Sequence, residues 1–335
     1  MTANIKQIHA GSIIFDGHCD TLLALREGRR RLGQRVEANP QGSIRDAQHL
    51  DLPRLIEGGV TAQIFACFVR QPFLPADATN EALRLIDAFY LALEENPDSL
   101  LLATTAAGVE RAKAEGKVAG ILSLEGAEAL EGELAPLRMF YRLGVRALGL
   151  TWNWRNQAAD GLSESRTGGG LTEFGLELVK EANRLGIILD IAHLAPAGVS
   201  DVLALSDAPV VASHANARAL MDHPRNLSDQ QLEGIAASGG LVAVTYVPDF
   251  LAENGRSASL ESVLDQIDYL VKTVGIDHVG LGSDFDGFPG VLTGLEDVSR
   301  LPALTAGLVR RGYRSEEVAQ ILGGNYLRVF RQVAG

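Results

Sequence analysis

The chain has 335 residues, 46% of them hydrophobic and 21% charged, with a formal net charge of -12. That balance can fill a large core and excludes a disordered chain, and the length admits either one large α/β barrel or two smaller domains. The acidic excess gives no electrostatic footprint for nucleic acid or an anionic membrane, and two cysteines outside any CxxC pair, Cys19 and Cys67, exclude a disulfide framework and a zinc ribbon.

Met1 to Gly11 contains no apolar run of signal-peptide length, no later stretch approaches a membrane span, and Gly323 to Gly335 carries no anchor signal. These features predict an unprocessed cytoplasmic protein with no membrane partner. Further along, short β-branched apolar runs alternate with helix-period segments, and no Pro/Ser-rich linker interrupts them. The predicted strands are Ile13 to Phe15, Thr61 to Val69, Val118 to Leu124, Val145 to Leu150, Ile187 to Ile191, Val210 to Ser213, Leu241 to Tyr246 and Val279 to Leu281.

Helices are predicted from near Thr79, from Thr105 to about Glu115, from Pro136 to Leu143 and from Thr172 to Leu185, the last two stopping at Gly144 and Gly186. Ser228 with Gln231 reads as a capping box, Ser259 to Val274 as another helix, and Ser315 to Leu322 as one that stops at Gly323, after which Asn325 caps a final helix. Arg26 to Asp51, rich in Arg, Gly and Gln, reads as a mobile excursion near a barrel mouth and is assigned no chemistry.

Eight strands, each followed by a helix or loop, predict a (β/α)8 TIM barrel forming one domain over residues 1–335. The alternative is a doubly wound open sheet, but its dinucleotide fingerprint is incomplete, since Gly280-Leu-Gly282-Ser-Asp284 has no third glycine.

Residues able to bind metal recur at the C-terminal ends of these strands, the face on which barrel enzymes carry their chemistry. Strand 1 runs into Asp16-Gly-His18-Cys19-Asp20, strand 3 into Glu125, strand 5 into Asp190-Ile-Ala-His193, strand 6 into His214 and strand 8 into Asp284-Phe-Asp286. Side-chain alternation puts His18 and Asp20 on one side of an extended chain and turns Cys19 into the core. The candidate metal ligands are therefore His18, Asp20, Glu125, His193, His214 and Asp284. Three imidazoles with three carboxylates exceed the needs of one tetrahedral zinc and suit two ions sharing a bridge, for which Glu125 is the best candidate. Asp16 and Asp286 read as hydrogen-bond partners of ligands or as turn residues, and His9, His49, His223 and His278 as surface or capping residues.

The series Asp16-Gly-His18-Cys-Asp20, Leu124-Glu125-Gly126, Asp190-Ile-Ala-His193, Ser213-His214, His223-Pro-Arg225-Asn226, Gly282-Ser-Asp284-Phe-Asp286-Gly287 and Gly323-Gly324-Asn325 resembles the renal (membrane) dipeptidase family of metal-dependent amidohydrolase barrels. The resemblance runs in order from about residue 13 to 330. It implies two Zn2+ per chain, with His18 and Asp20 on the first ion, Glu125 bridging, His193 and His214 on the second, and Asp284 beside the first. It implies a dipeptide substrate, attacked by a metal-bridging hydroxide, with Asp284 passing the proton to the leaving amine and Arg225 receiving the free carboxylate; a D-residue at the C-terminal position and a homodimer are compatible with it. Where mammalian members place a histidine after the strand 4 threonine, this chain reads Thr151-Trp152-Asn153. Trp152 and Asn153 are thus the expected substrate contacts at that place, with Asn156 as a further donor and a plain pocket wall as the other role for the tryptophans. Thr245-Tyr246-Val247 does not clearly place the tyrosine that some members present to substrate. Two other functions stay open: hydrolysis of another small amide, lactone or ring substrate, and a non-catalytic metal-binding barrel.

Overall fold

The computed structural model describes residues 2–44, 46–70 and 74–335. Nine strands form among the described residues: β1 (Phe15–Cys19), β2 (Ala62–Phe68), β3 (Leu100–Leu102), β4 (Val118–Glu125), β5 (Val145–Gly149), β6 (Ile188–Asp190), β7 (Val210–Ala215), β8 (Leu241–Val244) and β9 (Val279–Leu281). All pairings are parallel, in the order β2-β1-β9-β8-β7-β6-β5-β4, and β4 pairs back onto β2 from Ala62↔Ala119 to Phe68↔Glu125. That last pairing closes an eight-stranded barrel and rules out the open doubly wound sheet. β3 lies outside the ring, paired with Val118 to Gly120 before β5 begins beside Leu122.

Side-chain alternation sorts each strand between two cores. On β4, Ala119 and Ile121 pack in the inner cluster while Val118, Leu122 and Leu124 pack against the surrounding helices. Glu125 continues the inner set and emerges at the C-terminal mouth. β6 behaves alike, with Ile188 inside, Leu189 outside and Asp190 at the mouth. The other end of the barrel is filled by the last helix, Asn325–Ala334, whose Tyr326 stacks on Phe15 with ring centroids 4.3 Å apart. Gly323 allows that helix to approach, because a Cβ there would press on the backbone of Ile13 and Phe15.

Several sequence expectations are corrected. β1 runs through Cys19 instead of ending at Phe15: polar Asp16 and His18 interrupt the apolar run, but both are buried and bonded inside the closed barrel. Asn325 does not cap the final helix, since its backbone is already helical and its Nδ2 donates to Ile276 and Val279 carbonyls. Helices Thr21–Arg26, Pro196–Leu205 and Leu301–Arg310 were not expected. Thr105, Thr172 and Ser228 do cap their helices, the last in a reciprocal capping box with Gln231. The 26–51 segment is tied down rather than free: Arg30 pairs with Asp286, His49 N–H donates to Asp286 at 2.8 Å and Leu52 N–H to Leu32 at 2.8 Å. Arg45 lies outside the described residues. His9 and His49 are buried, not surface residues; His9 bonds Thr305 and the Gly58 carbonyl, and His49 bonds the Gly290 carbonyl.

Candidate active site

All six residues expected at the strand ends meet at the barrel mouth, and each is at least nine-tenths buried. His18 arrives on β1 by way of a register shift between Asp16 and Cys19, which leaves Phe15 in the inner core and Cys19 in the outer one. His214 lies on β7 within a second shift, between Ala212 and Ala215. Asp20, His193 and Asp284 sit just past their strands. Asp284 and Asp286 both adopt left-handed backbone, φ 62° and 65°, which aspartate tolerates better than most residues. Gly287 follows them because a side chain there would intrude on the carboxylates of both Asp284 and Asp20.

Glu125 stands between two groups of donors. Its Oε1 lies 3.0 Å from His193 Nε2 and 3.9 Å from His214 Nε2, while its Oε2 lies 3.6 Å from His18 Nε2, which is itself 3.8 Å from Asp20 and 3.9 Å from Asp284. Potential ligand atoms gather in three sets: His18, Asp20 and Glu125; Glu125, His193 and His214; and His18, His214 and Asp284. His18 Nε2, Asp20 Oδ1 and Glu125 Oε2 are buried with no hydrogen-bond partner among the described residues, a costly arrangement for a protein interior unless a cation satisfies them. The residues present therefore fit a metal.

Protonation follows the same logic. Burial, with Arg225 and His18 nearby, pushes His193 and His214 well below the usual histidine range, which keeps both imidazoles neutral. Burial and the Asp20 charge raise Glu125 to about 7, and burial raises Asp284 well above the ordinary carboxylate range. Burial opposes a charge on His18, yet Glu125 and Asp20 outweigh it and lift that histidine well above its ordinary value. Crowded carboxylates that resist ionisation are a site short of positive charge.

Two imidazoles are held by their other ring nitrogen. His193 Nδ1 lies 2.9 Å from Asn153 Oδ1, an acceptor, so Nδ1 carries the proton and Nε2, which faces His214 Nε2 at 2.8 Å, carries none. His214 Nδ1 lies 2.7 Å from Ser213 Oγ, whose hydroxyl donates to Asp190 at 2.5 Å. Since Ser213 spends its one proton on Asp190, His214 donates from Nδ1 and also presents a bare Nε2. Sequence reasoning named Ser213 and Asp190 only as motif flanks. Asp16 and Asp286 touch no ligand ring: Asp16 accepts from the backbone of His18 and Ser283, and Asp286 from Thr21, Arg30 and His49 N–H.

The remaining expected contacts divide. Arg225 is buried beside His193, with Nη2 3.1 Å from His193 Nε2 and Nη1 on the Ala192 carbonyl, and no carboxylate of the described residues pairs with it. Trp152 packs between Phe68, at 5.1 Å, and His193, at 5.9 Å, as a wall. Asn153 orients His193, whereas Asn156 is committed to its own loop, donating to Leu150 and accepting from Ala158 and Ala159. Tyr246 is fully buried edge-on against Phe285 and lines neither cavity at the mouth.

Comparison with known proteins identifies the family. The family model described as membrane dipeptidase, peptidase family M19, covers residues 2–335. The dipeptidase tcpJ of Claviceps purpurea is 34% identical over 86% of this chain and 70% of its own length. Among solved structures, the family M19 metallopeptidase called dipeptidase AC superposes with a TM-score of 0.87 at 37% identity, covering 97% of this chain and 99% of that one. A metallopeptidase from Rhodobacter sphaeroides, liganded with a phosphinate mimic of the dipeptide L-Ala-D-Ala, gives 0.86 at 36% identity over 96% and 99%. No helix of the described residues is long and apolar enough to cross a membrane. With its barrel, its buried donor set and these relatives, the chain belongs to the membrane dipeptidase family, peptidase family M19, and is a metal-dependent hydrolase of peptide bonds.

Proposed function

We propose that this chain is a binuclear zinc dipeptidase whose two metal positions share Glu125. The observation that carries the reading is the division of that carboxylate, one oxygen toward His193 and His214 and the other toward His18 and Asp20. Two zinc ions bound there would supply an activated water and a Lewis acid for the scissile carbonyl.

The protein's own groups do the rest. Arg225, charged and without a carboxylate partner among the described residues, receives the C-terminal carboxylate of the dipeptide as a planar fork. That contact fixes the distance from the free carboxylate to the reacting carbon and limits substrates to short peptides. Asp284, 3.9 Å from His18 and on the cavity wall, accepts the proton of the attacking water and delivers it to the departing nitrogen as the C–N bond breaks. Trp152 and Phe68 enclose the cavity and keep bulk water from the reacting bond. The L-Ala-D-Ala mimic bound by the Rhodobacter sphaeroides relative favours tolerance of a D-residue at the C-terminal position.

Elemental analysis and a panel of L,L and L,D dipeptides on one reconstituted sample test the proposal. About two zinc ions per chain and hydrolysis of dipeptides but not of N-acylated tripeptides are expected. Fewer than one ion per chain after full reconstitution removes the binuclear centre, and lactone or cyclic amide turnover without dipeptide turnover removes the substrate assignment.

A further inference from the structure

The catalytic cavity lies beside a second, larger one of about 480 Å³. Asp20, Leu23, Ile44, Phe68, Trp152 and Asp286 belong to the walls of both, so the two spaces adjoin. Arg225 stands beside His193, Glu125 lies between His193 and His18, and Asp20, next to His18, is shared with the larger cavity. A dipeptide with its C-terminal carboxylate on Arg225 and its amide over the metal positions therefore directs its N-terminal residue toward the larger cavity.

Arg30 is on the wall of that cavity, with a side chain only 7% exposed. One nitrogen, Nη2, pairs with Asp286. Neither Nε nor Nη1 has a hydrogen-bond partner among the described residues, and both are buried. A guanidinium carries five N–H groups and no acceptor, so this one can pair with Asp286 and still has donors left for another anion. Buried donors without partners are costly, and the cost is recovered when an acceptor arrives.

Apart from Asp20, which belongs to the metal positions, the carboxylates of the cavity make no comparable demand for a cation. Asp286 already accepts from Thr21, His49 and Arg30, Asp46 accepts from Ser43, and burial pushes the Glu128 carboxyl upward, toward its neutral form. Trp152, Trp154 and Phe68 supply apolar surface on which the methylenes of a longer side chain can lie.

Resting on the dipeptidase reading above, we propose that Arg30 selects dipeptides whose N-terminal residue bears a side-chain carboxylate, glutamyl or aspartyl. L-Glu-L-Ala and L-Gln-L-Ala differ only in charge at that place, so the ratio of their kcat/KM values isolates the contact. A charge-assisted pair in a buried site predicts a ratio of about 10 or more for the native enzyme. In Arg30→Gln the ratio should fall to about 1, and Arg30→Lys, a single point charge that must also serve Asp286, should give an intermediate value. Because the readout is a ratio, a general loss of activity in a variant does not imitate the result. A native ratio near 1, a preference for L-Lys-L-Ala, or a high ratio that survives in Arg30→Gln overturns the assignment. If Arg30→Gln does not fold, the native ratio and Arg30→Lys still decide. Cleavage of L-Ala-L-Ala with no preference for glutamate defeats this inference alone, whereas failure to cleave any dipeptide defeats the reading on which it rests.

Discussion

Gly287 is where one added carbon tests the geometry of the whole centre. Its backbone is not left-handed, so alanine brings no conformational strain of its own. A Cβ at that position falls well inside the 3.0 Å limit of real contacts with both Asp284 Oδ1 and Asp20 Oδ2. The two carboxylates must retreat by roughly 0.5–1 Å, several times the tolerance of about 0.2 Å that metal–ligand distances allow. Misplacing reacting groups by about 1 Å costs on the order of 100-fold in rate, so Gly287→Ala should lose about that factor in kcat/KM and bind metal more weakly. The displaced atoms are the ends of side chains and not backbone, so the metal-free fold should lose only about 1 kcal/mol. Steady-state kinetics on metal-saturated protein, chelator competition and urea unfolding of the stripped protein measure the three quantities. Native activity together with native metal affinity would refute the placement of Asp20 and Asp284 at one centre. So would a variant that unfolds by several kcal/mol while its folded fraction keeps full turnover.

Arg225→Ala should raise KM for dipeptides by about tenfold or more with metal content unchanged, and an unchanged KM removes Arg225 from the carboxylate site. Ser213→Ala leaves the Nδ1 proton of His214 without its buried acceptor; zinc affinity should fall by about 10- to 100-fold in a chelator titration, and native affinity would show that the Asp190–Ser213–His214 chain does not orient the ligand. Away from the site, Arg184 and Arg138 hold Glu181 down at about 2, below its ordinary 4.5. The stabilisation is present above pH 4.5 and is lost as pH falls toward 2, so Glu181→Gln should cost about 1 kcal/mol at pH 7, reduced by the exposure of both arginines, and nothing near pH 2. Urea unfolding across that range checks it, and a pH-independent gap contradicts the ion-pair explanation.

The parts of this fold legible in the sequence are those dictated by local chemistry. A buried parallel strand needs a short apolar run, and the runs from Thr61, Val118, Val145 and Val210 mark barrel strands to within a few residues at most ends. Caps are equally local, as Thr105, Thr172 and Ser228 demonstrate. β1 extends past the apolar run because a barrel can bury Asp16 in a strand once Gln63 and Ser283 bond it, a compensation invisible in a five-residue window. β3 was missed because three residues, Leu100–Leu102, pair only where β5 has yet to start.

The six strand-end residues were legible for a related reason: a closed barrel brings the C-terminal ends of its strands to one rim whatever their separation along the chain, so each could be recognised from its own strand. Arg30, His49 and Asp286 have no such frame. They meet across 256 and 237 residues, on a segment with no periodicity, through one ion pair and two hydrogen bonds donated by backbone N–H groups. That difference separates two properties of the enzyme. The proposed metal centre draws its residues from the ends of strands whose register cannot slip without destroying the core, whereas the larger cavity takes Arg30, Gln34, Val36 and Gln48 from a connecting segment. On the reading proposed above, substitutions on that segment change which N-terminal side chain is accepted while leaving the six strand-end groups where the barrel puts them.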